Sequence, residues 1–161
     1  MPIPGDDIAA GTGVSNLLAD YAACIDADAL ERWPDFFTEN CLYRITSAFN
    51  YARDLPVGII HADSRRMLED RVAALRKANI YEKQGYRHIV SVPRIVKRDG
   101  DTVEAEAGFL VVRIMHDGAL DLFATGRYVD RVDFSSERPR FAQKVVVLDS
   151  EKVDTLLAIP L

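Results

Sequence analysis

The residues best suited to bind a metal or attack a substrate are three histidines, His61, His88 and His116, and two cysteines, Cys24 and Cys41. Their spacing speaks against both chemistries. No HExxH, CxxC or Cys-x-His run occurs, so neither a zinc site nor a Rieske cluster is written as a local motif. Two histidines and a carboxylate would suffice for a facial triad. His116, however, falls in a turn and His61 just before a helix, which leaves surface or hydrogen-bonded histidines as the plainer reading. There is no Gly-x-Ser-x-Gly elbow, and neither cysteine stands in an electropositive run, so no activated nucleophile is expected. Gly11-Thr12-Gly13 lacks the lysine and the preceding strand of a phosphate loop. Acid–base chemistry remains: Tyr21, Asp35, Tyr43 and His88 are types that hold and move protons, and together in one cavity they would suit an isomerase or dehydratase. Against this, Tyr21 and Tyr43 read equally as core aromatics with hydroxyls at a rim.

Those four residues can meet only if the fold brings them together. Residues 1–14, with two prolines, three glycines and adjacent aspartates, read as a flexible arm. From Ser15, a plausible N-cap, the stripe Leu17, Leu18, Tyr21, Ala22 and Ile25 predicts a helix. A short helix over Ala27–Trp33 should stop at Pro34. Phe36 and Phe37 then enter the core before a strand at Cys41–Thr46. The segment Phe49–Ile60 reads as irregular cover for a sheet edge. Asp63 or Ser64 caps a further helix through Met67, Leu68, Val72 and Leu75, ending near Asn79.

The rest reads as long strands at Tyr86–Arg98, Thr102–His116, Leu120–Phe134 and Arg140–Asp149. Asp99-Gly100 and Asp117-Gly118 mark two hairpins, so the strands form an antiparallel meander with bends at Gly108 and Gly126. Helices followed by a long curved sheet give an α+β cone over residues 15–161, with the helices on one face. Such cones serve small isomerases and dehydratases of the ketosteroid isomerase and scytalone dehydratase type, a fold-level likeness that does not fix function.

At 161 residues and 48% hydrophobic content, one domain with one core is expected. Twenty-five acids against twenty bases give a net charge of −5, and the basic residues are dispersed. Nucleic acid is therefore not an expected partner. The most apolar run, Phe109–Met115, contains Arg113 and is far too short to span a bilayer. No basic-then-apolar leader opens the sequence, and the cysteines read as buried thiols, so the expectation is a cytoplasmic protein. Arg65-Arg66 and Arg127-Tyr128 are residue types favoured at interfaces. Trp33, the sole tryptophan, fits an exposed face or a core plug.

Four stretches together resemble a known family. YAACIDADALERWPDFFTENC from Tyr21, HADSRRMLEDRVAALRKANIY from His61, YRHIVSVPRI from Tyr86, and FATGRYVDRV through KVVVLDS to LLAIPL are similar, in order, to the small β subunits of aromatic-ring-hydroxylating dioxygenases. ADS, ALRKANIYE, RIMHDG and DTLLAIPL resemble the terephthalate-type subgroup most, and Val92 stands where many family members have Asn. The resemblance implies a cystatin-like (NTF2-like) cone that is structural and carries no metal or cofactor. It implies a large α subunit holding a Rieske [2Fe–2S] cluster and mononuclear Fe(II), joined in an α3β3 hexamer. On this reading Trp33, Arg65, Arg66, Arg87, Arg113, Arg127 and Tyr128 are candidates for subunit interfaces, and the chain should form a homotrimer unaided. Arg113 would be stranded among Val111, Val112 and Ile114 in a monomer. Strand alternation places Arg87 and His88 on opposite faces. His88 is expected inward on Tyr21 or Tyr43, with Arg87 in an ion pair.

Overall fold

Helix α1 spans Gly5–Asp26 because the apolar stripe begins earlier than Ser15. Ala10 and Val14 extend the 3–4 spacing through Leu17, Leu18, Tyr21 and Ile25, and all six are buried. The computed structural model describes residues 5–78, 83–152, 157 and 159–161, and over 5–14 the expected flexible arm is replaced by helix. Ser15 is thus interior to the helix and caps nothing. Gly13 is there for packing: a Cβ at this position would lie 2.7 Å from Cε1 of Phe134. By hydropathy Asp7–Asp26 could pass for a membrane span, yet its apolar stripe lies in the core. After Asp28, at φ 55°, a 3₁₀ helix covers Leu30–Phe36 and runs through Pro34. Proline's fixed φ suits a 3₁₀ turn, so the expected stop at Pro34 is displaced by two residues.

Strand β1 (Phe37–Ser47) leads into the short helix α2 (Ala48–Ala52), where Ser47 Oγ accepts the Asn50 N–H at 3.2 Å. Strand β2 (Ile60–Ala62) returns beside β1, and α3 follows over Arg65–Ala78. Ser64 Oγ accepts the Met67 N–H at 3.3 Å, which settles the cap on Ser64. The inward stripe of α3 contains Leu68, Val72 and, partly, Leu75, while Met67 is exposed. The expected end at Asn79 lies outside the described residues.

The single strand expected over Tyr86–Arg98 is two, β3 (Gln84–Val90) and β4 (Arg94–Asp99), both antiparallel to β5 (Thr102–Met115). Ser91-Val92-Pro93 divides them. Ser91 donates its N–H to Gly108 O, and its Oγ accepts the Gly108 N–H, both at 2.9 Å, while Pro93 has no N–H for the ladder. Strands β6 (Leu120–Asp133) and β7 (Arg140–Leu148) complete the meander. The sheet order is β2-β1-β7-β6-β5-β3, with β4 also on β5 and β1 parallel to β7. Gly100 and Gly118 take φ of +59° and +88°, as the Asp-Gly turns predict.

The sheet curls around a core roofed by α1, the 3₁₀ helix and α3. Residues 48–59 lie over its convex side at β1 and β7, where Thr46 Oγ donates to Val57 O at 3.1 Å and Val145 and Val147 are buried. The curl needs Gly126, because a Cβ there would approach Val147 O to 2.1 Å. Gly126→Ala should therefore force β6 from β7 and lower stability by about 2–4 kcal/mol. Urea unfolding measures this, and a loss below about 0.5 kcal/mol, the size of a neutral surface change, would contradict it.

Candidate functional site

The concave interior gathers aromatic side chains from every layer. Tyr21 of α1 meets Phe36, Phe37, Tyr128 and Phe141 edge-on, with ring centroids 5.5–6.3 Å apart. Trp33 stands edge-on to Tyr43 at 5.1 Å. The hydroxyls of Tyr21 and Tyr43 both donate to the main-chain oxygen of Leu161, at 2.6 and 3.1 Å. The Leu161 N–H donates in turn to the Tyr43 hydroxyl at 3.2 Å. Leu157, Ile159 and Leu161 are all buried, and Arg71 Nη2 holds the Leu157 carbonyl at 2.9 Å. The chain thus fills its own cone. Burial pushes the Tyr43 phenol up to about 12 and Tyr21 well above its ordinary value, so both remain donors across the physiological range.

Behind these rings lies an ion pair that sequence reasoning missed. Lys144 Nζ sits 3.0 Å from Asp130 Oδ2, with both side chains buried. The ammonium also lies 3.6 Å from the Tyr128 ring centroid, 4.3 Å from that of Phe141 and 4.6 Å from that of Tyr21. Ring faces are electron-rich, so they partly replace the lost hydration of a cation. Even so, burial lowers Lys144 to about 8 and raises Asp130 to about 6, outweighing their mutual attraction.

The four candidate acid–base residues do not converge as one site. Tyr21 and Tyr43 share an acceptor. His88 points inward as alternation required, but its partner is Asp26 rather than either tyrosine. Nδ1 lies 2.6 Å from Asp26 Oδ1, and the same carboxylate accepts the His88 N–H at 2.9 Å. The arrangement ties the end of α1 to the free edge of β3, where an unpaired N–H would otherwise need solvent. Asp35 is exposed and lines a separate cleft of about 510 Å³ outside α1, with Asp20, Cys24, Arg32, Arg138 and Arg140. His88→Ala should cost about 1–3 kcal/mol by leaving Asp26 short of a partner, as urea unfolding would measure. An unchanged midpoint would show that the tether is not needed.

The interface candidates divide in two. Trp33 and Tyr128 are fully buried, so both belong to the core and present nothing to a partner. Arg113 is not stranded: Nε bonds Asp121 Oδ1 across the hairpin at 3.0 Å, and the guanidinium lies 5.0 Å from the centre of the Phe123 ring. Arg65 is half-buried and donates to the Phe37 carbonyl. Arg66 and Arg127 are exposed, and Arg127 lies over Tyr51. Arg87 is 65% exposed, with Nη1 3.9 Å from Asp26 Oδ2.

The convex face beyond α2 carries an apolar patch. Ile89 pairs with Leu110, Val112 with Leu122 and Ile114 with Leu120, and Ile89, Leu120 and Leu122 are 56%, 68% and 64% exposed. Period-2 alternation in β5 and β6 signals this face, although its residues are aliphatic rather than of the Arg and Tyr types favoured at interfaces. Among the described residues no group of three or more His, Cys, Asp and Glu side chains could hold a metal. Cys24 Sγ instead donates to Ala29 O, and both thiols are free and buried.

Residues 6–143 match the family model of the SnoaL-like domain. The chain is 46% identical over 143 residues to the β 1 subunit of the terephthalate 1,2-dioxygenase terminal oxygenase component of Comamonas sp., covering 89% of this chain and 93% of that protein. It is 43% identical over 142 residues to the anthranilate 1,2-dioxygenase small subunit of Burkholderia cepacia, covering 88% of each. Among solved structures, the β subunit of a proposed aromatic-ring-hydroxylating dioxygenase from Novosphingobium aromaticivorans superposes with a TM-score of 0.89. It is 36% identical, with 96% of this chain and 99% of that one covered.

Proposed function

The chain belongs to the SnoaL-like family and, within it, to the small subunits of aromatic-ring-hydroxylating dioxygenases, and from that premise we propose that it is the non-catalytic β subunit of an α3β3 oxygenase. The reading rests on the 46% identity to a β subunit over most of both chains. On it, the substrate is an aromatic acid of the terephthalate kind, cis-dihydroxylated during aromatic catabolism. The donor set here fits no Rieske cluster, because the two thiols are buried and the histidines lie on separate elements. A partner α subunit would hold the [2Fe–2S] cluster and Fe(II), the groups that activate dioxygen. This chain supplies a rigid cone, filled by its own side chains, and an apolar convex face on which copies of itself associate as a trimer. Its two free, buried thiols suit a reducing cytoplasm.

Co-expression with an α subunit encoded beside it tests the reading. The expected result is a co-purifying hexamer with iron confined to α. Stoichiometric iron in the isolated chain, or full turnover by α alone, would overturn it. His88→Ala should leave turnover per assembled hexamer unchanged. A loss of about a thousandfold, the scale of a missing general acid or base, in a variant that folds and assembles would instead make His88 catalytic.

A further inference from the structure

The cleft of about 510 Å³ outside α1 is separate from the packed interior, and three elements build it. On the α1 side stand Gly13, Ala23 and Ala27, whose side chains are too short to fill the space. Gly13 is held small by the Phe134 ring, which a Cβ would meet. The 3₁₀ helix brings Arg32, Asp35 and Phe36, and the loop leading into β7 brings Arg138 and Arg140. Buried Leu17 and Cys24 give the cleft an apolar base. Five charged side chains line this space without neutralising one another. Among the described residues, Arg32, Arg138, Arg140, Asp20 and Asp35 form no side-chain hydrogen bond or ion pair. Elsewhere the chain pairs its arginines: Arg76 with Asp28 and Glu31, Arg94 with Glu106, and Arg113 with Asp121. Three cations against two anions leave the cleft one positive charge in excess, on a chain whose net charge is −5. A concave, partly apolar wall focuses such a field. The volume falls within the range of about 300–1,000 Å³ typical of small-molecule sites, where an apolar lining carries a few polar groups.

We propose that this outer cleft binds a small monocarboxylate with a ring-sized apolar body, its carboxylate on Arg138 and Arg140 and its body over Leu17, Cys24 and Phe36. A guanidinium matches a carboxylate through paired N–H donors. Asp20 and Asp35 limit the charge: a second anionic group on the ligand would face a carboxylate, so a dianion is disfavoured. A cation meets the positive excess, and inorganic phosphate has no apolar body to cover the base. The site binds without reacting. Cys24 Sγ already donates to Ala29 O at 3.1 Å, and burial raises its thiol above the ordinary value, so it offers no thiolate to a guest. Binding needs no α subunit, because every residue involved belongs to one chain.

The probes are benzoate, benzyl alcohol, benzene-1,4-dicarboxylate and inorganic phosphate, titrated into the isotope-labelled full chain. Backbone amide resonances of Ala23, Cys24, Phe36 and Arg140, all in the cleft, report binding. Benzoate should shift them saturably. Benzyl alcohol keeps the ring without the charge and should bind at least about tenfold more weakly, the scale of a hydrogen bond to a charged group. The dicarboxylate should bind more weakly than benzoate, and phosphate should give no saturable shift. Arg138→Gln/Arg140→Gln should weaken benzoate at least about tenfold at an unchanged urea midpoint, since neither side chain bonds within the fold. If benzyl alcohol matches benzoate, the cleft is only an apolar hollow; if phosphate matches it, only a patch of surface charge. Either result overturns the proposal. So does a dicarboxylate that binds as tightly as benzoate, or a double variant that keeps full affinity. Absence of a saturable benzoate shift at these amides in the unaltered chain overturns it too, whatever the variant does.

Discussion

Lys144→Met, with Asp130 left in place, is expected to lower stability by about 3–5 kcal/mol, because it strands a buried charge. The size follows from what remains. The Asp130 carboxylate would lie among Tyr128, Phe141 and Tyr21, whose ring faces attract a cation and repel an anion. Asp130→Leu should cost less, since the same rings still hold the ammonium. The double variant Lys144→Met/Asp130→Leu should be near neutral, as buried pairs exchanged for well-packed apolar residues often are. Urea unfolding of the three proteins gives the cycle. Additive losses would show that the pair is not coupled and the reading of the core is wrong.

The same pair has a pH signature of definite sign. Asp130 titrates near 6 and Lys144 near 8 in the folded protein, against about 3.9 and 10.4 in an unfolded chain. From about pH 4 to 6 the folded carboxyl keeps a proton that the unfolded one has released, so stability from this group falls as pH rises. From about pH 8 to 10 the unfolded lysine keeps a proton that the folded one has lost, so stability rises with pH. The stability of the unaltered protein, minus that of the double variant, should therefore pass through a minimum near pH 7. A flat difference from pH 5 to 9 would contradict the assigned burial of the pair.

Legibility from sequence followed the range of each interaction. The Asp-Gly turns at Gly100 and Gly118 are local, and the meander they imply is the one observed. Alternation is local too, and it placed His88 inward. Its partner Asp26 was hidden, because the contact depends on where α1 ends against β3. Residues 5–14 misled because glycine content reads as looseness, whereas Gly13 answers to the ring of Phe134 on the far side of the fold. Lys144 lies in a strand whose local sequence carries no mark of a buried cation. Nothing near it announces Asp130, which faces it only through the β6–β7 register. Arg113 was the opposite case: Asp121 lies in the same hairpin and could have been paired with it from the turn alone.

Leu122→Asp is expected to leave the fold intact and to abolish self-association. Leu122 is exposed in the single chain, and a surface substitution there should change its stability by no more than about 0.5 kcal/mol. In a trimer the same position would be covered, and an unpaired carboxylate buried in an apolar contact costs several kcal/mol. Ile89, Leu110, Val112, Ile114 and Leu120 surround Leu122 in register, so the charge would fall inside the patch. A ring of three is heterologous, and each copy meets both neighbours, so one substitution weakens every contact. Light scattering should find a trimer for the unaltered chain and an 18.0 kDa monomer for the variant, with unchanged circular dichroism. Recovery of the α subunit should fall with it, because a cap of three would no longer present three sites together. If the variant still trimerises, the convex face is not the contact. Should the unaltered chain itself be monomeric at micromolar concentration, association would need α, and the unaided trimer would be refuted.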